Sequence, residues 1–240
     1  MTKKFIKNLF IVEGSSDKDF MEKFIKLFIS KEELNIADDF YVVKKIKEEG
    51  GKSHFFRKGV VNIINHIEEN SDDENLSKTF LIVDADWEIH HQEYQPAGYS
   101  RVSEALKEIK NQIKDHSFIQ SHRALDQFEI DHFIMPFNKK TQEYGELETL
   151  FINALKPEYK IKLECIDVLE DCLKQKSPKP NLESHHKDKM RMEILLKSYN
   201  KTMDKAIEWV DYESEILQDL KKFLHKKFSK IRTKKNKLCP

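Results

Sequence analysis

Four short apolar runs punctuate the chain, and an amphipathic stretch follows each of them. The first is Leu9-Phe10-Ile11-Val12, which stops at Glu13-Gly14. Four continuous apolar residues before a glycine predict a strand covered on both faces, as in a parallel sheet. Ser15 and Ser16 then offer N-caps, with Asp19 three residues after Ser16 as a capping box. Phe20, Phe24, Leu27 and Phe28 recur on one helical face. Residues 40–46 predict a second strand, Gly50-Gly51 a loop, and residues 55–67 a helix with Val60, Ile63, Ile64 and Ile67 on one side. An acidic loop leads to Phe80-Leu81-Ile82-Val83, a third strand that ends in Asp84-Ala85-Asp86. Residues 102–113 read as an amphipathic helix, and 130–135 as a fourth strand stopped by Pro136.

Strands alternating with helices predict an α/β fold of Rossmann-like type, a mostly parallel sheet with right-handed crossovers and flanking helices. Beyond residue 145 the pattern is helical, over 145–155, 162–173, 184–199 and 214–228. The expected organisation is an α/β domain over 1–155, a helical extension packed on it over 156–228, and a flexible basic tail over 229–240.

Composition narrows the class. Of 240 residues, 39% are hydrophobic and 35% charged, the latter well above the ~25% of an ordinary soluble protein. No run approaches the ~18 apolar residues of a membrane span. The apolar run near the start ends at Glu13, too short for a signal-peptide core. Cys165, Cys172 and Cys239 are odd in number and form no CxxC, which fits a reducing compartment. A cytoplasmic protein with no membrane partner is expected. Cys165 and Cys172 lie two turns apart on one helix, a spacing that predicts two core cysteines rather than a metal pair.

The net charge of zero conceals an asymmetry. Residues 221–240 hold nine basic side chains, and all 42 acidic ones lie before them. A basic end on an acidic body predicts contact with phosphate. Lys226, Lys227, Lys230, Arg232, Lys234 and Lys235 are candidate nucleic-acid contacts. Gly50-Gly51-Lys52-Ser53 imitates the end of a P-loop but lacks its leading glycine. ATP binding is rejected there, while Lys52 in a Gly-Gly loop stays a candidate for receiving phosphate.

Acidic residues close two of the strands. In open α/β sheets, sites form beyond the carboxyl ends of strands, where the strand order reverses. If the first and third strands are neighbours, Glu13 and Asp84 face one crevice, and Asp86 leaves the strand on the same side. Carboxylates so close repel unless a cation neutralises them, and oxygen-only ligands suit Mg²⁺ or Mn²⁺. Glu148 follows the fourth strand and flanks the apolar stripe Leu147, Leu150, Phe151 and Ala154 at the same rim. No HExxH or G-x-S-x-G is present.

The segment Phe10-Ile-Val-Glu13-Gly14-x-x-Asp17, followed by Phe80-Leu-Ile-Val-Asp84-Ala-Asp86-x-Glu88, resembles the TOPRIM domain. Topoisomerases, bacterial primases and the overcoming-lysogenisation-defect nucleases share that domain. Phe133-Ile-Met-Pro136-Phe-Asn138 and Gly145-Glu-Leu-Glu148 look like a stand-alone bacterial TOPRIM-like family related to those nucleases. The resemblance implies Glu13 as general acid or base and Asp84 and Asp86 as Mg²⁺ ligands. It implies that Glu88 extends the acidic motif, that Glu148 completes a second metal site, and that Lys187 or Lys189 neutralises charge in the transition state. Topoisomerase and primase modules are missing from this sequence. Related nucleases carry an ATPase, fused or separate, so a separate ATPase partner is implied, and homodimerisation stays open. The expected activity is Mg²⁺-dependent hydrolysis of phosphodiesters in DNA or RNA, in defence or repair. The alternative is a non-enzymatic module that binds nucleic acid or a partner ATPase. A haloacid-dehalogenase-type phosphatase fits poorly, because Glu88 stands where that family has Thr or Val.

Overall fold

The computed structural model describes residues 8–31, 41–46, 51–71, 76, 78–86, 97–121, 128–135, 145–176 and 187–235. Its centre is a four-stranded sheet of β1 (Asn8–Val12), β2 (Tyr41–Lys45), β3 (Lys78–Asp84) and β4 (Glu129–Met135). The order is β2-β1-β3-β4, and every neighbouring pair is parallel. The chain steps one way from β1 to β2, then crosses back to place β3 on the other side of β1. The strand order therefore reverses between β1 and β3, which makes that edge the switch point of an open α/β sheet.

Alternating strand residues sort the core into two layers, because successive side chains leave a strand on opposite faces. Phe10, Val12, Phe80, Ile82, Phe133 and Met135 enter one buried cluster. Leu9, Ile11, Leu81, Val83 and Ile134 enter the other. The second face is covered by α2 (Gly51–Ser71) and α3 (Tyr99–Lys114) through Ile63, Ile64, Ile67, Val102, Leu106 and Ile109.

The first face takes α1 (Ser15–Lys31), through Phe20, Phe24 and Phe28, together with the whole C-terminal part. Short α4 (Ser117–Ser121) precedes β4. After β4 come α5 (Leu147–Asn153), α6 (Pro157–Lys176), α7 (Lys187–Ser198), α8 (Met203–Ala206), a 3-10 turn (Ile207–Trp209) and α9 (Glu215–Lys235). Helix α9 lies across the sheet itself. Phe223 meets Phe80 and Phe133 at ring-centre distances of 5.5 and 5.3 Å, and Phe228 meets Phe10 at 6.2 Å. The residues beyond 155 thus share one of the two layers on the sheet with α1 and α5. Among the described residues, no helix is long and apolar enough to cross a membrane.

Three expectations change. Helix α9 continues to Lys235 rather than ending at 228; Lys and Arg are good helix formers and no Gly or Pro intervenes. Gly51 opens α2, with Lys52 in its first turn, where a loop was expected. Cys165 and Cys172 are exposed rather than in the core, because α6 turns Leu163 and Ile166 inward instead.

Candidate functional site

At the carboxyl end of β1 the backbone turns sharply into α1. The turn is held by Asp17, whose Oδ2 accepts the Gly14 N–H at 2.7 Å. This is one arm of a capping box, built from Asp17 and not from the predicted Ser16 and Asp19. A Cβ at Gly14 would stand 3.2 Å from the same oxygen, so a side chain there would press on the contact that forms the turn.

Glu13 reaches across to the neighbouring strand. Its Oε1 accepts the backbone N–H of Asp84 at 3.0 Å. The bond ties the end of β1 to the end of β3 at the switch point. Beyond Asp84 the chain is fixed by backbone bonds: Ala85 N–H donates to Met135 C=O at 2.7 Å, and Gly98 N–H to Ala85 C=O at 2.7 Å. Asp86 exchanges bonds with Gly145, its N–H donating to the Gly145 C=O at 2.7 Å and its C=O accepting the Gly145 N–H at 3.2 Å. Asp86 adopts φ 57°, a left-handed conformation that Asp tolerates better than most residues. The Asp86–Gly145 bridge delivers the chain to α5, where Glu146 N–H donates to Thr149 Oγ1 at 3.2 Å and fixes the helix start beside Glu148.

The carboxyl groups brought here act on one another. Burial pushes the Asp84 carboxyl well above the ordinary carboxylate range, and the charges of Asp17, Glu13, Asp86 and Glu148 push it further. Burial raises Asp17 to about 6; the Gly14 N–H and Lys189 pull it down, while Glu148 pushes it up. Burial also raises Glu148, against the helix backbone and Lys189. Glu13, Asp17, Asp84, Asp86 and Glu148 therefore share one electrostatic field, which Lys189, Asp188 and Glu193 of α7 also enter. Such a field favours protons or a cation over bare anions.

Of the predicted site residues, Glu13, Asp84, Asp86, Glu148 and Lys189 come together. Glu88 lies outside the described residues. Lys187 opens α7, and its side chain, like those of Lys52, Lys230, Arg232, Lys234 and Lys235, is outside what the structure describes. Lys226 is exposed on α9. Lys227 is turned inward: it is 8% exposed, binds Asp131 of β4, and lies over the Phe80 and Phe223 rings. It is taken up by the fold and not offered to a polyanion. Asp17 is the site residue that motif reading left without a role. Its signal was available, since a position four residues after Glu13 is one turn into a helix that starts at the strand end.

The donor set is oxygen-only and crowded, which fits a hard divalent cation. Among the described residues, no group of three His, Cys, Asp or Glu side chains is already drawn to ligand distance.

Fold and rim together define an open, all-parallel α/β protein with an acidic cluster at its switch point. The chain belongs to the family described as "Protein of unknown function (DUF3226)", which it matches over residues 7–229. Neither the curated proteins nor the solved structures contain a match to it.

Proposed function

We propose that this protein is a TOPRIM-type, Mg²⁺- or Mn²⁺-dependent hydrolase of phosphodiester bonds in DNA or RNA. The observation that carries the reading is the Glu13–Asp84 contact between adjacent parallel strands, with Asp86, Glu148 and Lys189 in the same field. Asp84 and Asp86 would hold the ion, with Glu148 available to a second one. The chemistry supplied at that position would be a lowered pKa for the attacking water and stabilisation of the negative charge that develops on the leaving oxygen. Glu13 is fixed through one oxygen by the Asp84 N–H, so its carboxylate is positioned to take a proton from the attacking water or return one to the leaving oxygen. Lys189 offsets negative charge on the side of Asp17 and Glu148. Exposed lysines of α9, Lys226 among them, would meet the phosphate backbone.

The test incubates purified protein with plasmid DNA and with structured RNA, without metal and with Mg²⁺ or Mn²⁺. Metal-dependent cleavage is expected, reduced at least about 10²-fold by Glu13→Gln, the usual scale of a lost acid–base group. Cleavage at the parental rate in Glu13→Gln would falsify the assignment. Tight binding to nucleic acid with no turnover under any metal would favour the binding module instead.

A further inference from the structure

Helix α3 carries its charges on two separate sides. Lys107, Lys110 and Lys114 follow at intervals of three and four residues, which sets them on one face. Glu104 and Glu108, with Asp115 at the helix end, fall on another. The lysine face looks toward β4, because Lys110 Nζ donates to His132 Nδ1 at 3.1 Å. Lys107 and Lys114 are exposed, and Lys110 is half-buried. Among the described residues, none of the three forms an ion pair with a carboxylate. A cation in the last turn answers the helix dipole, which accounts for Lys114. The dipole does not account for Lys107, two turns earlier.

Strand β4 is the end of the sheet on this side. The acid beside the lysine row is Asp131, and both its oxygens are engaged. One accepts the His132 N–H at 2.9 Å and the other binds Lys227. Glu129, further along the strand, pairs with Lys78 at 2.8 Å. With the His132 N–H taken and charged side chains along it, this edge discourages a further strand. The lysine charges press on one another. Burial holds Lys110 below its ordinary value, Asp131 opposes, and Lys114, Lys107 and Lys227 lower it further. Mutually repelling ammonium groups beside a carboxylate that is already neutralised favour an arriving anion.

We propose that this face of α3 is the track along which the backbone of a nucleic acid runs out from the acidic rim. The proposal rests on the reading of the protein as a hydrolase of nucleic acids, and it says where the substrate lies. The fold gives the direction. Helix α3 starts at the rim, since Gly98 at its head donates to the Ala85 C=O. Lys107 and Lys114 stand nine and sixteen residues beyond Gly98, about 13 and about 24 Å along the axis. One strand of a duplex places a phosphate every ~3.4 Å of its axis, so the row faces roughly the fourth to the seventh phosphate from the rim.

The probes are a labelled DNA duplex of about 30 base pairs, several times the length of the row, and a single-stranded RNA of the same length. Fluorescence anisotropy in EDTA follows their affinity against NaCl concentration. Lys107→Gln combined with Lys114→Gln is expected to keep the parent's helix content and melting temperature. It is expected to flatten the plot of log affinity against log salt by about 1.8 on the duplex or about 1.4 on the single strand, at ~0.9 and ~0.7 per lost contact. Lys160→Gln combined with Lys201→Gln removes the same charge from exposed positions elsewhere, and is expected to leave the slope at the parent's value. Intact binding with a slope that the α3 pair does not change overturns the track and leaves the hydrolase reading standing. Equal flattening by both pairs overturns the track as well, because net charge then accounts for the attraction. A parent that binds neither probe overturns the track; if it also cleaves neither with Mg²⁺, the hydrolase reading falls with it.

Discussion

Asp84 carries a conflict of its own, a carboxyl group enclosed by protein and pressed by four others. That conflict makes a stability prediction separable from catalysis. Asp84→Asn keeps the shape and removes the charge, so the metal-free protein is expected to melt higher at pH 7–8. The gain should be roughly 2–4 °C, the response of a chain this size to about 1 kcal/mol. Added Mg²⁺ should stabilise the parent and not the variant; a variant that melts lower and still responds to Mg²⁺ would count against the cluster as a cation site. On the opposite face, burial and the Lys110 charge push the His132 imidazole down to about 4, with Asp131 opposing. Lys110 Nζ stands 3.1 Å from His132 Nδ1. The folded state keeps this ring neutral, whereas the unfolded chain protonates it near 6.5. Its contribution is thus complete above pH 6.5 and is lost as pH falls from there toward 4. After discounting for partial exposure, the loss should be about 1–2 kcal/mol. Urea melts of parent and His132→Gln at pH 7 and 4.5 measure it; equal slopes with pH in both would remove His132 from the account.

The elements were legible in the sequence where one period dominates. Leu9–Val12 and Phe80–Val83 are continuous apolar runs, and both are strands buried on both faces. The pairing of β1 with β3, on which the site depends, was an assumption in the sequence and is a fact of the sheet. Legibility failed where a charged residue occupies an apolar stripe. In α9, Leu217, Leu220, Leu224 and Phe228 are buried on one face, and Lys227 falls on that face. Counting basic residues assigned it to solvent; counting turns would have assigned it to the core. There it pairs with Asp131, whose carboxyl is held below its ordinary value. Burial alone would raise it, but the Lys227 bond, the His132 N–H and the Lys227 and Lys110 charges outweigh that. Asp17 escaped for a related reason, since its role is a backbone bond and not a motif position. Removing residues 215–240, which include all of α9, should strip the cover from Phe10, Phe80 and Phe133. The shortened chain is expected to lose near-UV circular dichroism and protease resistance throughout, including residues 8–153. A folded, resistant fragment over those residues would show that the sheet stands without α9.

At the scale of the molecule, the acidic rim hangs from one small knot of main chain. Ala85, Asp86, Gly98, Met135 and Gly145 are joined by backbone bonds of 2.7 to 3.2 Å. The segments 87–97 and 136–144 both begin and end at that knot. Lengthening 87–96 by about four Gly and Ser residues should leave the Mg²⁺-dependent rise in melting temperature as it is in the parent, because the bonds of the knot are made by residues outside that segment. A lost Mg²⁺ response would mean that the segment itself holds the carboxylates. Because Ala85, Asp86, Gly98, Met135 and Gly145 are tied through main chain alone, a side chain at any of them can change without cutting the bonds that hold the rim together.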